Sequence, residues 1–210
     1  MTLVLAHRGA SWNAPENTLA AFELAIAEEA DYVEFDVRTA PGGELVVAHD
    51  AVRGPPPPNT ARLDAVLEAL RGRVGLAPEA KDGGAMRGLL AAVKAHAIAA
   101  DELLLLSFRI RDLRQAQRAR PELRYVLNLG VRPDPVAADG LWGVGFRDDS
   151  ARGRAMALAR SHGLAVTVFT VNDPARMAEL GTLGVDGIFT DRPAVARQVL
   201  AKLEAESSRA

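Results

Sequence analysis

The stretch Tyr32-Val33-Glu34-Phe35-Asp36-Val37-Arg38 decides the fold. Up to Val37 it alternates strictly. Val33, Phe35 and Val37 share one face, and Glu34 and Asp36 share the other, because successive side chains of a strand point to opposite sides. The apolar face suits packing against a layer of helices. The acidic face then points inward, where two carboxylates repel each other and resist burial unless something compensates. A divalent cation is the simplest compensator, since oxygen ligands two residues apart suit Mg²⁺ or Ca²⁺. The alternative is an ion pair with an inward Arg or Lys.

Outward from this strand the same unit repeats. β-rich runs lie at 3–6, 32–38, 74–80, 103–107, 124–129, 142–146, 165–171 and 187–189, and an extra run at 44–48 forms a hairpin through Pro41-Gly42-Gly43. Helical patterns fall between them at 18–29, 63–70, 86–97, 110–119, 151–161, 174–183 and 193–205. Leu63, Val66, Leu67 and Leu70 hold the i, i+3, i+4, i+7 spacing. Asn17, or Thr18, is placed to cap the first helix. Gly163 and Gly184 read as C-terminal stops, and Pro174 and Pro193 sit where a first helical turn tolerates proline. Helical character before Trp142, over 134–139, is weak. Eight strands, each followed by a helix or a short substitute, predict an α/β fold, a single (β/α)8 TIM barrel over residues 1–210. A doubly wound open sheet is the alternative, but no Gly-x-Gly-x-x-Gly or Walker pattern supports it. No sequence repeat at a period of about 20–50 residues is visible. Pro55–Pro58, within 51–61, reads as an extended surface connector or, less simply, as a polyproline ligand.

Composition narrows the function. The 210 residues are 49% hydrophobic and 25% charged, an ordinary globular balance. The formal net charge of −2 supplies no basic excess for a run of phosphates, so no nucleic-acid partner is expected. There is no cysteine, which excludes disulfides, thiolate nucleophiles and cysteine-ligated zinc. The first residues lack a basic stretch and carry only a short apolar run at 3–6, and no run nears the ~18 residues of a membrane span. A cytoplasmic protein without stable membrane insertion is the expectation, and its oligomeric state is left open.

The candidate site gathers where the strands end, the face on which barrels carry their chemistry. Glu79-Ala80-Lys81 puts a carboxylate and an ammonium on one face: Glu79 as a third ligand, Lys81 as a partner for an anionic substrate, or both as solvated charges. Leu3, Leu5 and His7 share a face, so His7 points to the mouth. Arg8 begins the following loop with a fork suited to phosphate oxygens, and Gly9 lets backbone approach a ligand. His49-Asp50 ends the hairpin strand. Two histidines at strand ends beside three acids suggest an acid/base pair, His7 with His49. His96 and His162 read as surface or capping residues. Glu16 reads first as a loop-fixing acceptor and second as a metal ligand; Trp12 lies over the mouth or covers the core edge.

Together these residues resemble the glycerophosphodiester phosphodiesterase family. The resemblance runs through Leu5-Ala6-His7-Arg8-Gly9-Ala10, Pro15-Glu16-Asn17-Thr18 with Ala21-Phe22, Val33-Glu34-Phe35-Asp36-Val37, Val46-Val47-Ala48-His49-Asp50, Glu79-Ala80-Lys81, Ser107-Phe108, Thr170-Val171-Asn172 and the stretch from Gly184 to Pro193. It implies a TIM-barrel phosphodiesterase with one divalent cation, Mg²⁺ or Ca²⁺. Glu34, Asp36 and Glu79 would be the metal ligands, His7 and His49 the acid/base pair, and Arg8 and Lys81 the holders of a small phosphodiester substrate. The chain departs from the family in two places. The insertion that usually follows His-Asp is nearly absent, because Asp50 runs through 51–61 almost directly into the next helix, and Phe169 stands where relatives often carry Trp. Both departures loosen the expected grip on glycerol. The expected reaction releases glycerol 3-phosphate and an alcohol. Lipid substrates of the lysophospholipase D or sphingomyelinase D kind are the alternative. A non-catalytic phosphate-binding barrel would not need this whole set.

Overall fold

The computed structural model describes residues 1–131 and 133–207. Eight parallel strands close on themselves: β1 (Leu3–Ala6), β2 (Tyr32–Thr39), β4 (Gly75–Ala80), β5 (Leu104–Ser107), β6 (Arg124–Asn128), β7 (Gly143–Arg147), β8 (Ala165–Phe169) and β9 (Gly187–Thr190), with β9 returning to pair with β1. The short β3 (Leu45–Val47) is the hairpin strand, antiparallel to the end of β2, with Arg38 opposite Val46. The outer layer is α1 (Leu19–Ala27), α2 (Leu63–Leu70), α3 (Gly83–Ala95), α4 (Ile110–Ala119), α5 (Gly153–Ser161), α6 (Pro174–Thr182) and α7 (Pro193–Ser207). Among the described residues between β6 and β7 a 3-10 turn, Pro135–Ala138, stands in for a helix, in keeping with the weak pattern there.

Strand alternation divides the apolar core in two. Val33, Phe35, Val37, Val144, Phe146, Val166, Val168 and Ile188 face the helices in one large cluster. Leu5, Tyr32, Ala77, Leu104, Leu106, Val126 and Phe189 fill the inside of the barrel. The lower end is plugged by Arg124, whose guanidinium lies 5.9 Å from the Tyr32 ring centre and 5.7 Å from that of Trp142. With the lower half filled, the inward positions at the upper ends of the strands are the ones left to polar groups.

Some boundaries shift from the sequence expectation, each for a local reason. The first helix starts after Thr18, whose hydroxyl accepts from the Ala21 amide; Asn17 is engaged elsewhere. The third helix begins at Gly83 rather than Met86, because the Asp82 side chain caps it through the Ala85 amide in spite of two weak helix-forming glycines. Gly163 and Gly184 do end their helices, at φ +70° and +65°. After His49 the chain runs through 51–61 without helix or strand and then bridges back to Val46 at Arg62. No helix among the described residues is long and apolar enough to cross a membrane.

Candidate active site

The inward face of β2 carries Glu34 and Asp36, and β4 beside it carries Glu79; the register sets Asp36 opposite Glu79. All three are buried, at 2%, 1% and 6% exposure. Three of their oxygens, one from each, lie within 4.8 Å of one another. Lys81 answers part of this charge: its Nζ is 2.7 Å from Asp36 Oδ1 and 2.6 Å from Glu79 Oε1. Arg8 answers another part, with Nε 3.1 Å from Asp36 Oδ2 and Nη1 on Glu16 at 2.8 Å. The inward ion pair that the sequence left as an alternative is therefore present, yet two cations face three buried carboxylates.

The surplus falls on Glu34. Burial, then repulsion from Asp36 and Glu79, holds its carboxyl well above the ordinary range, although the Arg8 amide donates to it at 2.8 Å. Asp36 goes the other way. Burial alone would raise it, but Lys81, the Asn17 amide and Arg8 together hold it below its usual value. The site thus has hard oxygen donors, close spacing and an uncompensated negative charge, a set that fits a hard divalent cation bound at about 2.0–2.6 Å.

The two histidines sit differently. His7 Nδ1 donates to Asp191 Oδ1 at 2.7 Å, since a carboxylate only accepts; Nε2 is left for the cavity. Asp191 also accepts from Ser11 at 2.9 Å and Asn172 at 2.5 Å. Burial would raise its pKa, but these bonds, that of His7 first, hold it below the usual carboxylate range. His49 is more open, with Nδ1 3.0 Å from Asp50 Oδ1. A cavity of about 200 Å³ joins His7, Arg8, Glu34, His49, Glu79 and Lys81 on its polar side to Leu106, Phe108, Phe169 and Phe189 on the other. Phe169 stacks edge-on with both Phe108 and Phe189. All seven residues singled out at strand ends come together here, six lining the cavity and Asp36 paired with two of them, Arg8 and Lys81.

Four residues outside that set shape the site. Asn17, read as a helix cap, instead pairs twice with Asp36: it donates from Nδ2 at 2.9 Å and accepts from the Asp36 amide at 3.1 Å. Its φ of +58° suits Asn, which tolerates the left-handed region better than most residues. Asn128, at the inward end of β6, donates to Glu79 Oε2 at 3.1 Å. Gly145 leaves Asn128 its room, since a Cβ there would stand 2.4 Å from Asn128 Oδ1. Asp191 orients His7. Of the four, Asn128 carried the signal of a polar residue at an inward strand end, Asn17 and Asp191 fell within quoted motifs without being given a site role, and Gly145 gave none. Glu16 fixes Arg8 outside the carboxylate cluster, and Trp12 lies over Arg192, 4.8 Å away, outside the cavity lining. His96 and His162 stand at the C-cap positions of α3 and α5, and their rings pair with Asp64 and Asp139.

Comparison with known proteins adds a family. The model of the glycerophosphoryl diester phosphodiesterase family matches residues 7–67 and 77–195. A glycerophosphodiester phosphodiesterase of Bacillus subtilis is 25% identical over 91% of this chain and 84% of its own. The crystal structure of a glycerophosphodiester phosphodiesterase from Agrobacterium tumefaciens superposes with a TM-score of 0.79 at 29% identity, covering 93% of this chain and 99% of that one. An Oleispira antarctica phosphodiesterase, solved in complex with sn-glycerol-3-phosphate, shares the fold at a TM-score of 0.87 and 23% identity, over 96% and 97% of the two chains.

Proposed function

The chain belongs to the glycerophosphoryl diester phosphodiesterase family, and on that premise we propose that it hydrolyses glycerophosphodiesters to glycerol 3-phosphate and an alcohol. The observation that carries the proposal is the convergence of two histidines, two cations and three buried carboxylates on one cavity at the mouth of the barrel. The product named for the Oleispira relative is the one this reaction would release.

Glu34, Asp36 and Glu79 would hold one divalent cation, Mg²⁺ or Ca²⁺. When bound, it polarises a phosphoryl oxygen and neutralises charge developing on it. Arg8 and Lys81 lie on the same side of the cavity and attract the phosphodiester's remaining negative oxygen, which favours the more highly charged transition state. One histidine takes a proton from the attacking water as the new P–O bond forms. The other gives a proton to the alcohol oxygen as its bond to phosphorus breaks. Asp191 keeps His7 in the tautomer with Nε2 free for either task. Because each histidine ends a turnover in the other's starting protonation state, exchange with solvent resets the pair. The aromatic side, from Phe189 up to Phe108, excludes water from the reacting phosphate and contacts carbon rather than charge.

A panel of glycerophosphodiesters and lysophospholipids, assayed with Mg²⁺, Ca²⁺ and Mn²⁺ against a chelator control, tests the proposal. Release of glycerol 3-phosphate that stops with the chelator supports it. Turnover confined to lysophospholipids would favour the lipid reading, and activity undiminished by chelation would remove the cation.

A further inference from the structure

Arg38 is the last inward-facing position of β2 before Thr39 ends it, two residues beyond Asp36. It does not line the cavity. Its guanidinium reaches across to the segment after β3 and donates twice to one acceptor, the backbone carbonyl of His49, from Nε at 2.9 Å and from Nη2 at 2.7 Å. Two donors of a rigid planar group on one oxygen fix both its place and its direction, which a single flexible donor does not.

Among the described residues little else steadies His49. Its ring meets Asp50, which is itself 98% exposed on its side chain. The Ala48 amide is tied to the Asp36 carbonyl at 3.0 Å, but that bond lies on the strand side of the histidine. On the other side the chain enters 51–61, which carries no helix or strand. His7, by contrast, is bound through its ring to a half-buried aspartate that two further side chains hold. The two histidines are therefore oriented by opposite means: His7 through its imidazole, His49 through its main chain.

We propose that Arg38 is the positioning residue of His49, a charged clasp that holds the backbone of the 49–50 turn so that the imidazole stays over the reacting phosphodiester. The proposal rests on the reading of His49 as one of the two proton-transfer groups. Loss of the clasp leaves the ring in place chemically but lets it wander, and a displacement of about 1 Å costs on the order of a hundredfold in rate.

The test combines Arg38→Ala, Arg38→Lys and His49→Ala, singly and together, with steady-state kinetics on a glycerophosphodiester and amide hydrogen exchange of the folded variants. Arg38→Ala should lower kcat by roughly ten- to a hundredfold while KM stays nearly constant, and Arg38→Lys should recover part of the loss. Adding Arg38→Ala to His49→Ala should cost nothing more, because the group it positions is already gone. Exchange at Ala48, whose amide is bonded to the Asp36 carbonyl beside the turn, should quicken in Arg38→Ala. A raised KM, or an equal loss in the His49→Ala background, would mean that Arg38 acts on substrate directly and would overturn the proposal. Unchanged exchange at Ala48 would overturn the clasp. Wild-type turnover by His49→Ala would defeat the underlying reading of the site instead, and the exchange measurement would still decide the clasp.

Discussion

Glu34→Gln removes one negative charge from the cluster and keeps the size of the side chain. At 4.8 Å, the outer limit of the distances between these oxygens, two unit charges repel by about 3.5 kcal/mol at an effective dielectric of ~20. Lys81 and Arg8 cover two of the three carboxylates, so of the order of one such repulsion is left on Glu34. Part of it is offset by the bond from the Arg8 amide, which an amide oxygen still accepts. A net gain of about 2 kcal/mol is expected in chelator above neutral pH, or about 4–8 °C in Tm for a chain of this size. The sign with pH follows from the direction of the shift. The folded-state pKa of Glu34 lies above its unfolded value, so the folded state keeps the proton longer. Stability of the parent protein therefore falls as pH rises from the ordinary carboxylate range through that raised value. The advantage of Glu34→Gln should shrink toward zero as pH is lowered to about 4. Cation reverses the order. At a concentration a hundred times Kd the parent gains about 2.7 kcal/mol, and Glu34→Gln should gain little. Thermal melts read by circular dichroism, with chelator and with millimolar Mg²⁺ or Ca²⁺ at several pH values, make the comparison. Equal cation responses in the two proteins, or a Glu34→Gln melt no higher than the parent's in chelator at high pH, would refute the reasoning.

His7→Ala and His49→Ala should each lower kcat by at least about a hundredfold, and kcat/KM of the parent should be bell-shaped in pH. A p-nitrophenyl phosphodiester, whose leaving oxygen needs no proton, should rescue one variant only, and that variant marks the general acid. Asp191→Asn should lower kcat more than it raises KM. It should also cost stability above the ordinary carboxylate range, a difference that vanishes as pH falls through the depressed folded-state pKa of Asp191, which melts across pH 3–7 would show. Gly145→Ala should push Asn128 off Glu79, with an overpacking cost of about 1–3 kcal/mol and a weaker cation response, measured by the same melts.

Much of this site could be read from the chain because strand period and barrel geometry are local rules. Once Glu34 and Asp36 alternate with Val33, Phe35 and Val37, their direction is set, and the same rule places Glu79 with Lys81 and His7 after Leu5. What escaped were the supporting contacts, which depend on which distant strand end or loop lies alongside. Asn17 looked like a helix cap because caps are judged within a few residues, whereas its partner, Asp36, is 19 residues away. The pair of Asn128 with Glu79 spans 49 residues and needs Gly145 from a third strand. Arg38 gave no signal because it binds a backbone carbonyl, a group every residue has.

Closure of the barrel also sets an order of assembly in time. His7 lies on the first strand and its partner Asp191 follows the last, 184 residues later. At a synthesis rate of about 5–20 residues per second, His7 leaves the ribosome roughly ten to forty seconds before Asp191. Glu34, Asp36, Glu79 and Lys81 all emerge within the earlier part of that interval. A growing chain thus has its acidic cluster to hand long before the histidine has its aspartate. If His7 is one of the two proton-transfer groups, hydrolytic competence would come only with the final strand, and a nascent or clipped form that lacks it would leave His7 without Asp191.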